Sequence, residues 1–522
     1  MTTDPLQYAR RWKTLGVLSL SLVILGIDTS ILNVALPTLQ DEFHASASGL
    51  QWMVDSYLLV FAGLLLVFGT LGDRFGRKLA LQAGVSIFGL ASLAAPLAST
   101  GGQVIAVRAA MGIGAALIMP ATLSIIANVF TGEERGKAIG IWAALAAVGI
   151  GLGPLAGGLL LEWFDWWSVF MVNVPFAVAA LLLGIRYVPE SRDPRPGSFD
   201  LLGAGLSTAG FSILVYAIIE APNKGWTSGL VLGSLAASIG LLGAFVAWER
   251  RIAEPMLDLG FFRSARFSVG TAAISGAFFA LLGGIFALTQ YLQFAHGYSA
   301  IEAGAIMTPM ALGLMLGAGS SSKAVLRLGT SRVVAAGLFG IALMLALTTL
   351  WDPSTNALVL VAWFFVLTLA MGWVMAPATD AVIGAVPAAK SGVASATNTV
   401  ARMVSGALGV AIIGSLINSV YSNKVDGSLG SLPPELQGHA EDSVGAASAI
   451  AAQLPPQPAS DLLATTGDAF TEAMGIGLAL GAVIVAVTAV LVLRFLPAGE
   501  TAAEQDEPEP IVPRPAAEDR AA

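Results

Sequence analysis

The 522-residue chain has no cysteine and only three histidines, His44, His296 and His439. Disulfides, iron–sulfur clusters and thiolate-held zinc are thereby excluded, and three scattered imidazoles make no metal site. Charge is scarce too: 11% of residues are Asp, Glu, Lys or Arg, where soluble domains carry about 25%. No Gly-x-x-x-x-Gly-Lys-Ser/Thr phosphate loop occurs, which argues against ATP drive. The net charge is −8 and the basic residues are spaced along the chain rather than gathered in a stripe, so nucleic acid is not an expected partner. What remains is apolar. Hydrophobic residues make up 56%, glycine numbers 59 and the mean hydropathy is +0.78, the composition of long helices packed closely in a bilayer.

At about 20 apolar residues per crossing the chain divides into about fourteen spans. Six come first: Leu15 to Leu36, Gln51 to Leu71, Leu79 to Leu97, Val104 to Ala127, Ala138 to Leu161 and Ser168 to Val188. Two follow, Leu201 to Ile219 and Ser228 to Trp248. The last six are Ser268 to Tyr291, Ala303 to Ser321, Val333 to Trp351, Ala357 to Ala378, Val393 to Ile417 and Ala469 to Leu493. The first is no cleaved signal peptide, being too long and carrying Asp28. With the amino terminus inside, nearly all Lys and Arg, among them Arg74, Arg77, Lys78, Arg135 and Lys137, fall on the cytoplasmic side. Only Lys224 and Lys424 fall outside, a bias of about ten to one that fixes both orientation and span count. The expected protein is an all-α, multi-pass protein of the cytoplasmic membrane with both termini inside. It comprises a cytoplasmic segment (1–14), a six-helix half (15–188), two inserted helices (201–248) and a second six-helix half (268–496). A Ser-, Gly-, Ala- and Pro-rich external loop (418–468) interrupts the second half, and a disordered cytoplasmic tail (497–522) ends the chain. No soluble enzyme domain is left over, and no cofactor, catalytic residue or metal site is expected.

An internal repeat supports the division. Gly69 to Lys78, after the second span, has an eroded copy in Ser322 to Arg332 after the tenth; Thr131 to Gly136, after the fourth, faces Pro387 to Gly392 after the twelfth. Both pairs are offset by eight spans, as two six-helix halves with a pair inserted between them require.

Gly69-Thr70-Leu71-Gly72-Asp73-Arg74-Phe75-Gly76-Arg77-Lys78 resembles the loop signature of the major facilitator superfamily, and Gly149 to Gly158 its antiporter signature in the fifth span. Ile27 to Pro37 is similar to the first-span signature of the 14-span drug:proton antiporter branch, and Trp52 to Tyr57 to the second span of its quaternary-ammonium and dye exporters. The resemblance runs from Leu15 to Leu496 and implies the major facilitator fold. It also implies proton-coupled efflux of amphipathic, often cationic drugs, with substrates, protons and membrane lipids as partners and a monomer as the working unit. A departure lies in span thirteen, where Thr399 and Met403 replace the acids of the quaternary-ammonium exporters and weaken the case for dications.

The residues say what such a machine would use. Asp28 lies about 12 Å below the outer end of its span, where a lone carboxylate costs several kcal/mol, so it is paired, protonated, or both in turn. A group for which proton and cation compete is what antiport needs. Asp55 and Arg108 lie about 6 Å inside the outer ends of their spans, so the three charges can share one polar cavity. Proton coupling is expected of Asp28 and Arg108, and cation attraction of Asp55 with Tyr57. Trp142, Tyr291 and Trp373 are expected to line an aromatic substrate cavity. Gly69, Asp73, Arg74, Gly76 and Arg77 are expected to form a latch, and Gly149, Gly153, Gly157 and Pro154 a close-packed face at the moving interface. Arg402 should find a backbone or buried partner. Two other readings stay open: a dedicated exporter of one metabolite, antibiotic or lipid, and a membrane sensor that has lost transport.

Overall fold

The computed structural model describes residues 5–130, 132–192, 200–252, 255, 257–386, 391–429 and 432–497. Residues 498–522 of the expected tail and the repeat segment 387–390 therefore lie outside the described residues. In a bilayer every backbone N–H and C=O must bond within its own segment, so long apolar runs become helices. The first half holds α1 (Pro5–Phe43), α2 (Ala47–Phe75), α3 (Arg77–Ala94), α4 (Gly101–Val129) and α5 (Gly132–Trp163). Its sixth span is α6 (Ser168–Met171) continued by α7 (Asn173–Tyr187). The inserted pair is α8 (Leu201–Lys224) and α9 (Gly229–Glu249). The second half begins with α10 (Ala265–Gln290), prolonged by a π turn at Tyr291–Ala295, and a broken tenth span, α11 (Ala300–Met307) and α12 (Pro309–Leu328). It ends with α13 (Thr330–Leu347), α14 (Ala357–Gly384), α15 (Ser391–Val425), α16 (Pro434–Asp442), α17 (Val444–Ala451) and α18 (Pro456–Phe495). Among the described residues thirteen helices are long and apolar enough to cross a membrane, and α5, 32 residues long with an apolar stretch at Val148–Trp163, makes the fourteenth.

Local chemistry sets the ends. Ser46 caps α2 by accepting from Gly49 N, and Ser299 with Glu302 forms a capping box at α11. Pro309, which has no N–H, starts α12 where the tenth span breaks. Gly76 (φ +132°) turns the chain between α2 and α3, and Gly329 (φ +81°) does the same between α12 and α13. The repeat read from the sequence thus has a backbone counterpart at a conformation that favours glycine.

The end carrying Arg74, Arg77 and Lys78 is termed the basic end, its opposite the far end. The halves meet along two seams, α2 against α15 and α5 against α11 and α12. Side-chain contacts between the halves lie nearer the far end: Gln51 of α2 reaches the backbone of Gly414 on α15, Gln293 Nε2 donates to Val34 O of α1 (2.9 Å), and Gln40 Nε2 of α1 donates to Ser443 Oγ (2.6 Å). Inserted helix α8 leans on both halves. Thr208 packs onto Gly63 of α2, and Ser415 of α15 donates to Ile218 O at 2.8 Å.

Two expectations change. The glycine face Gly149, Gly153 and Gly157 does not meet the other half. It presses on α1 of its own half, where Cβ atoms would come within 2.7 Å of Val23 O and 2.8 Å of Ile27 O. The seam belongs to the opposite face of α5, where Gly151 and Gly158 abut Ala311 and Ile301 and the Pro154 carbonyl abuts Gly304. The segment expected as an external loop, 418–468, is largely helical: α15 runs on to Val425, α18 starts at Pro456, and α16 and α17 stand between. Burial accounts for this. Ser443 caps α17, whose Val444, Ala447 and Ile450 are buried, and Tyr421 Oη donates to Ala440 O.

Candidate functional site

Five helices of the first half contribute to a charged core. Arg108 of α4 donates Nη1 to Asp28 Oδ2 of α1 at 2.6 Å and Nε to Met53 O at 3.1 Å. Asn173, first residue of α7, donates Nδ2 to the other Asp28 oxygen at 3.3 Å and lies 3.5 Å from Ser92 Oγ. The Tyr57 ring stands 4.4 Å from the guanidinium carbon of Arg108. Asp28 and Arg108 are each 1% exposed. A charge pair this enclosed is retained only when geometry is good and the remaining polar atoms are bonded, and here a backbone carbonyl and an amide serve that purpose. The π face of Tyr57 adds a cation–π contact.

Asp55 differs. It is 0% exposed, and neither carboxylate oxygen has a hydrogen-bond partner among the described residues. It follows Gln51 by one helical turn and so lies on the flank of α2 that meets α15. An unpaired carboxylate sealed there costs several kcal/mol, whereas a neutral acid does not, so this arrangement accommodates the protonated form.

The structure brings Asp28, Arg108 and Tyr57 into one cluster, with Asp55 on the helix that carries Tyr57. It does not bring the other aromatic candidates there. Trp142 bonds Thr122 (Nε1 to Oγ1, 3.2 Å) and Trp373 bonds Ser320 (Nε1 to Oγ, 2.9 Å), both half-buried. Tyr291 is fully buried beside Trp351, its hydroxyl donated to Asp352 O at 2.6 Å. Its ring and hydroxyl are occupied at the far end of the second half, which leaves it no substrate-facing surface in this conformation. The residue that sequence reasoning missed is Asn173. The signal was present, an amide inside the apolar run Phe170-Met171-Val172-Asn173-Val174, but nothing local shows what it faces.

At the basic end Asp73 and Arg77 form a 2.7 Å ion pair across the α2–α3 turn. The turn is pinned by the end of α7 and the segment after it: Arg77 N donates to Ser191 O (2.9 Å), Lys78 N to Glu190 Oε1 (3.3 Å) and Lys78 Nζ to Ile185 O (2.9 Å). A Cβ on Gly76 would lie 2.7 Å from the Glu190 carboxylate, a second reason for glycine there. The latch candidates therefore join parts of one half; a Cβ on Gly69 would meet Pro120 at 3.4 Å, and the Arg74 guanidinium lies 5.8 Å from the Phe75 ring. In the second half Arg402 donates Nη2 to Thr399 Oγ1 (2.9 Å) and lies 5.4 Å from the Phe278 ring.

Two related six-helix halves with a pair of helices inserted between them, and a buried ion pair in the first, define a membrane transporter, and the chain belongs to the Major Facilitator Superfamily, whose family model matches residues 18–410. Its relatives narrow the class. It is 36% identical over 486 residues to the multidrug efflux pump LfrA of Mycolicibacterium smegmatis, covering 92% of this chain and 96% of that one. To the methyl viologen resistance protein SmvA of Salmonella typhimurium it is 34% identical over 462 residues, covering 88% and 93%. Among solved structures, a bacterial homologue of the human lysosomal transporter Spinster, inward-facing and unoccupied, superposes with a TM-score of 0.65 at 18% identity, covering 95% of this chain and 98% of that one.

Proposed function

We propose that the protein exports amphipathic, predominantly cationic compounds across the cytoplasmic membrane in exchange for protons, with its basic end and both termini in the cytoplasm. The observation that carries this reading is the enclosed Asp28–Arg108 pair at 2.6 Å, in a chain 36% identical to a multidrug efflux pump. The Lys and Arg bias supports the orientation.

The pair supplies a two-state element. While Asp28 is ionised it holds Arg108, and α1 and α4 are tied together. A proton arriving on Asp28 cancels the attraction and frees Arg108, so protonation and helix position are linked. Asp55, on the seam between the halves, is the second acid: open to the cytoplasm and ionised it attracts a cation, sealed and unpartnered it prefers a proton. The energetics are modest. For a neutral cargo each entering proton supplies about 2.3 kcal/mol per 100 mV. For a monovalent cation exchanged one for one the potential cancels, and the pH gradient supplies about 1.4 kcal/mol per unit.

A second reading has its own support. A bridge as short as 2.6 Å suits a permanent clamp, which would leave Asp55, with both oxygens unbonded, as the proton carrier. Ethidium efflux from proteoliposomes driven by an imposed pH gradient separates the two. Asp28→Asn should lower the rate at least tenfold and Asp55→Asn less, with monodisperse protein in both cases. Full loss in Asp55→Asn with a wild-type rate in Asp28→Asn would move the proton to Asp55. Wild-type rates in both would end the antiport reading.

A further inference from the structure

Arg402 is a charge within the spans that has no counter-ion. No carboxylate lies within salt-bridge distance of it among the described residues, and its Nε is enclosed without a hydrogen-bond partner. What it does have is a hydroxyl one turn back on its own helix and the face of Phe278 across the gap to α10. A guanidinium does not give up its proton, so a full positive charge stands about 14 Å into the span. That is costly unless an anion meets it.

Two more polar groups on α15 and α10 are incompletely bonded. Asn398 Oδ1, one turn before Arg402 on α15, and Thr271 Oγ1, two turns before Phe278 on α10, are both enclosed and without partners. The two helices start from the same end and pack closely, with Gly409 3.0 Å from the Phe279 Cα by its missing Cβ and Gly406 against Leu282. Thr271 and Asn398 therefore sit at one level of the α10–α15 seam, and Phe278 and Arg402 at the next, both nearer the basic end. Arg402 itself is partly rather than fully buried. A guanidinium fork, a hydroxyl donor and an amide that can present either end complement a carboxylate, and the Phe278 face suits the aromatic ring that bears one.

We infer that Arg402, with Thr271 and Asn398, binds the carboxylate of zwitterionic aromatic amphiphiles. The cargo is then held from both halves, its cation by an acid of the first and its carboxylate by the second. The inference deepens the export reading and rests on it. It also gives Arg402 the counter-charge that the protein does not supply.

The test compares two dyes that share a ring system and differ in one charge: rhodamine 110, a free carboxylate, and rhodamine 123, its methyl ester. Their dissociation constants are measured by fluorescence anisotropy with the purified full chain, and the readout is the ratio of the two, which cancels general effects on folding and access. Arg402→Gln should shift the ratio against the acid by about tenfold, the size of one charge pair partly screened by solvent. Arg402→Lys should restore at least a third of the wild-type ratio. If Arg402→Gln does not yield monodisperse protein, Thr271→Val carries the test, with an expected shift of at least twofold against the acid. A ratio within the error of wild type in these variants overturns the site while leaving export intact. Failure of the wild-type protein to bind either dye would overturn both.

Discussion

The two halves share a helix plan and handle buried charge in opposite ways. In the first half Asp28 and Arg108 neutralise each other, with Asn173 and Met53 O on the remaining polar atoms. In the second, Arg402 has a hydroxyl and an aromatic ring and, among the described residues, no acid, while another polar network lies at the far rim, where the Tyr291 hydroxyl bonds both His296 and Asp352 O. An internally balanced pair can be opened by a proton, because a proton removes one member. A lone guanidinium cannot be switched that way and can only be answered by a ligand. On the proposed reading the asymmetry divides the labour: energy coupling in the first half, cargo recognition shared with the second.

Removing one arginine from each half is the strongest way to break the comparison. Arg108→Met leaves Asp28 buried without its partner and should cost about 3–5 kcal/mol. Arg402→Met orphans no carboxylate, so its cost should stay below about 1 kcal/mol. Denaturation of the purified protein in mixed micelles measures both. The double variant Asp28→Asn/Arg108→Met should recover most of the loss, since the penalty comes from the uncompensated charge rather than from the missing bond. Equal costs for the two arginines would mean that Arg402 has a counter-charge after all.

A milder change sharpens the first-half side. Asn173→Leu keeps the ion pair and removes only the amide donor to Asp28 Oδ1, a hydrogen bond to a charged group worth about 1.5–3 kcal/mol. The 3.3 Å length places the expected loss toward the lower figure. Asn173→Ser should recover part of it if the site needs a donor rather than a shape. No measurable loss would show that Arg108 alone balances Asp28.

How much of this was legible in the sequence depends on distance along the chain. Spans, repeat and the intramembrane Asp28, Asp55, Arg108 and Arg402 follow from hydropathy and charge, which act locally. That Asp28 meets Arg108 and Asn173 does not, because residues 80 and 145 positions apart meet only after three helices have packed. The glycine spacing in α5 announced a close approach without naming the partner, and the partner is α1. The segment 418–468 looked like a loop because Ser, Gly, Ala and Pro signal turns. Its short helices depend on burial, as with Val444 and Ala447 of α17. Yet Ser443 before an apolar run was a readable cap.

The smallest expected effect concerns the far rim of the second half. Tyr291 gives its one hydroxyl proton to Asp352 O, so in the 3.1 Å contact with His296 the donor is His296 Nε2. Tyr298 stacks on the other side of that imidazole at 4.9 Å. Burial lowers the His296 pKa below the ordinary 6.5, with the Asp352 charge opposing the shift, and hydrogen bonds from Ser354 keep Asp352 itself ionised to lower pH than usual. A base whose folded pKa is depressed binds protons more readily when unfolded. Its contribution to stability is therefore whole above pH 6.5 and declines as the pH falls from there toward the lower folded value. Between pH 7.5 and 5.5 the melting temperature of the wild-type protein should fall by about 1 °C more than that of His296→Gln, which keeps a donor for Tyr291 and cannot titrate. Parallel curves would show that the rim is insensitive to this proton. The far rim would then add no titrating element in that range, and the contrast with Asp28 would become sharper still.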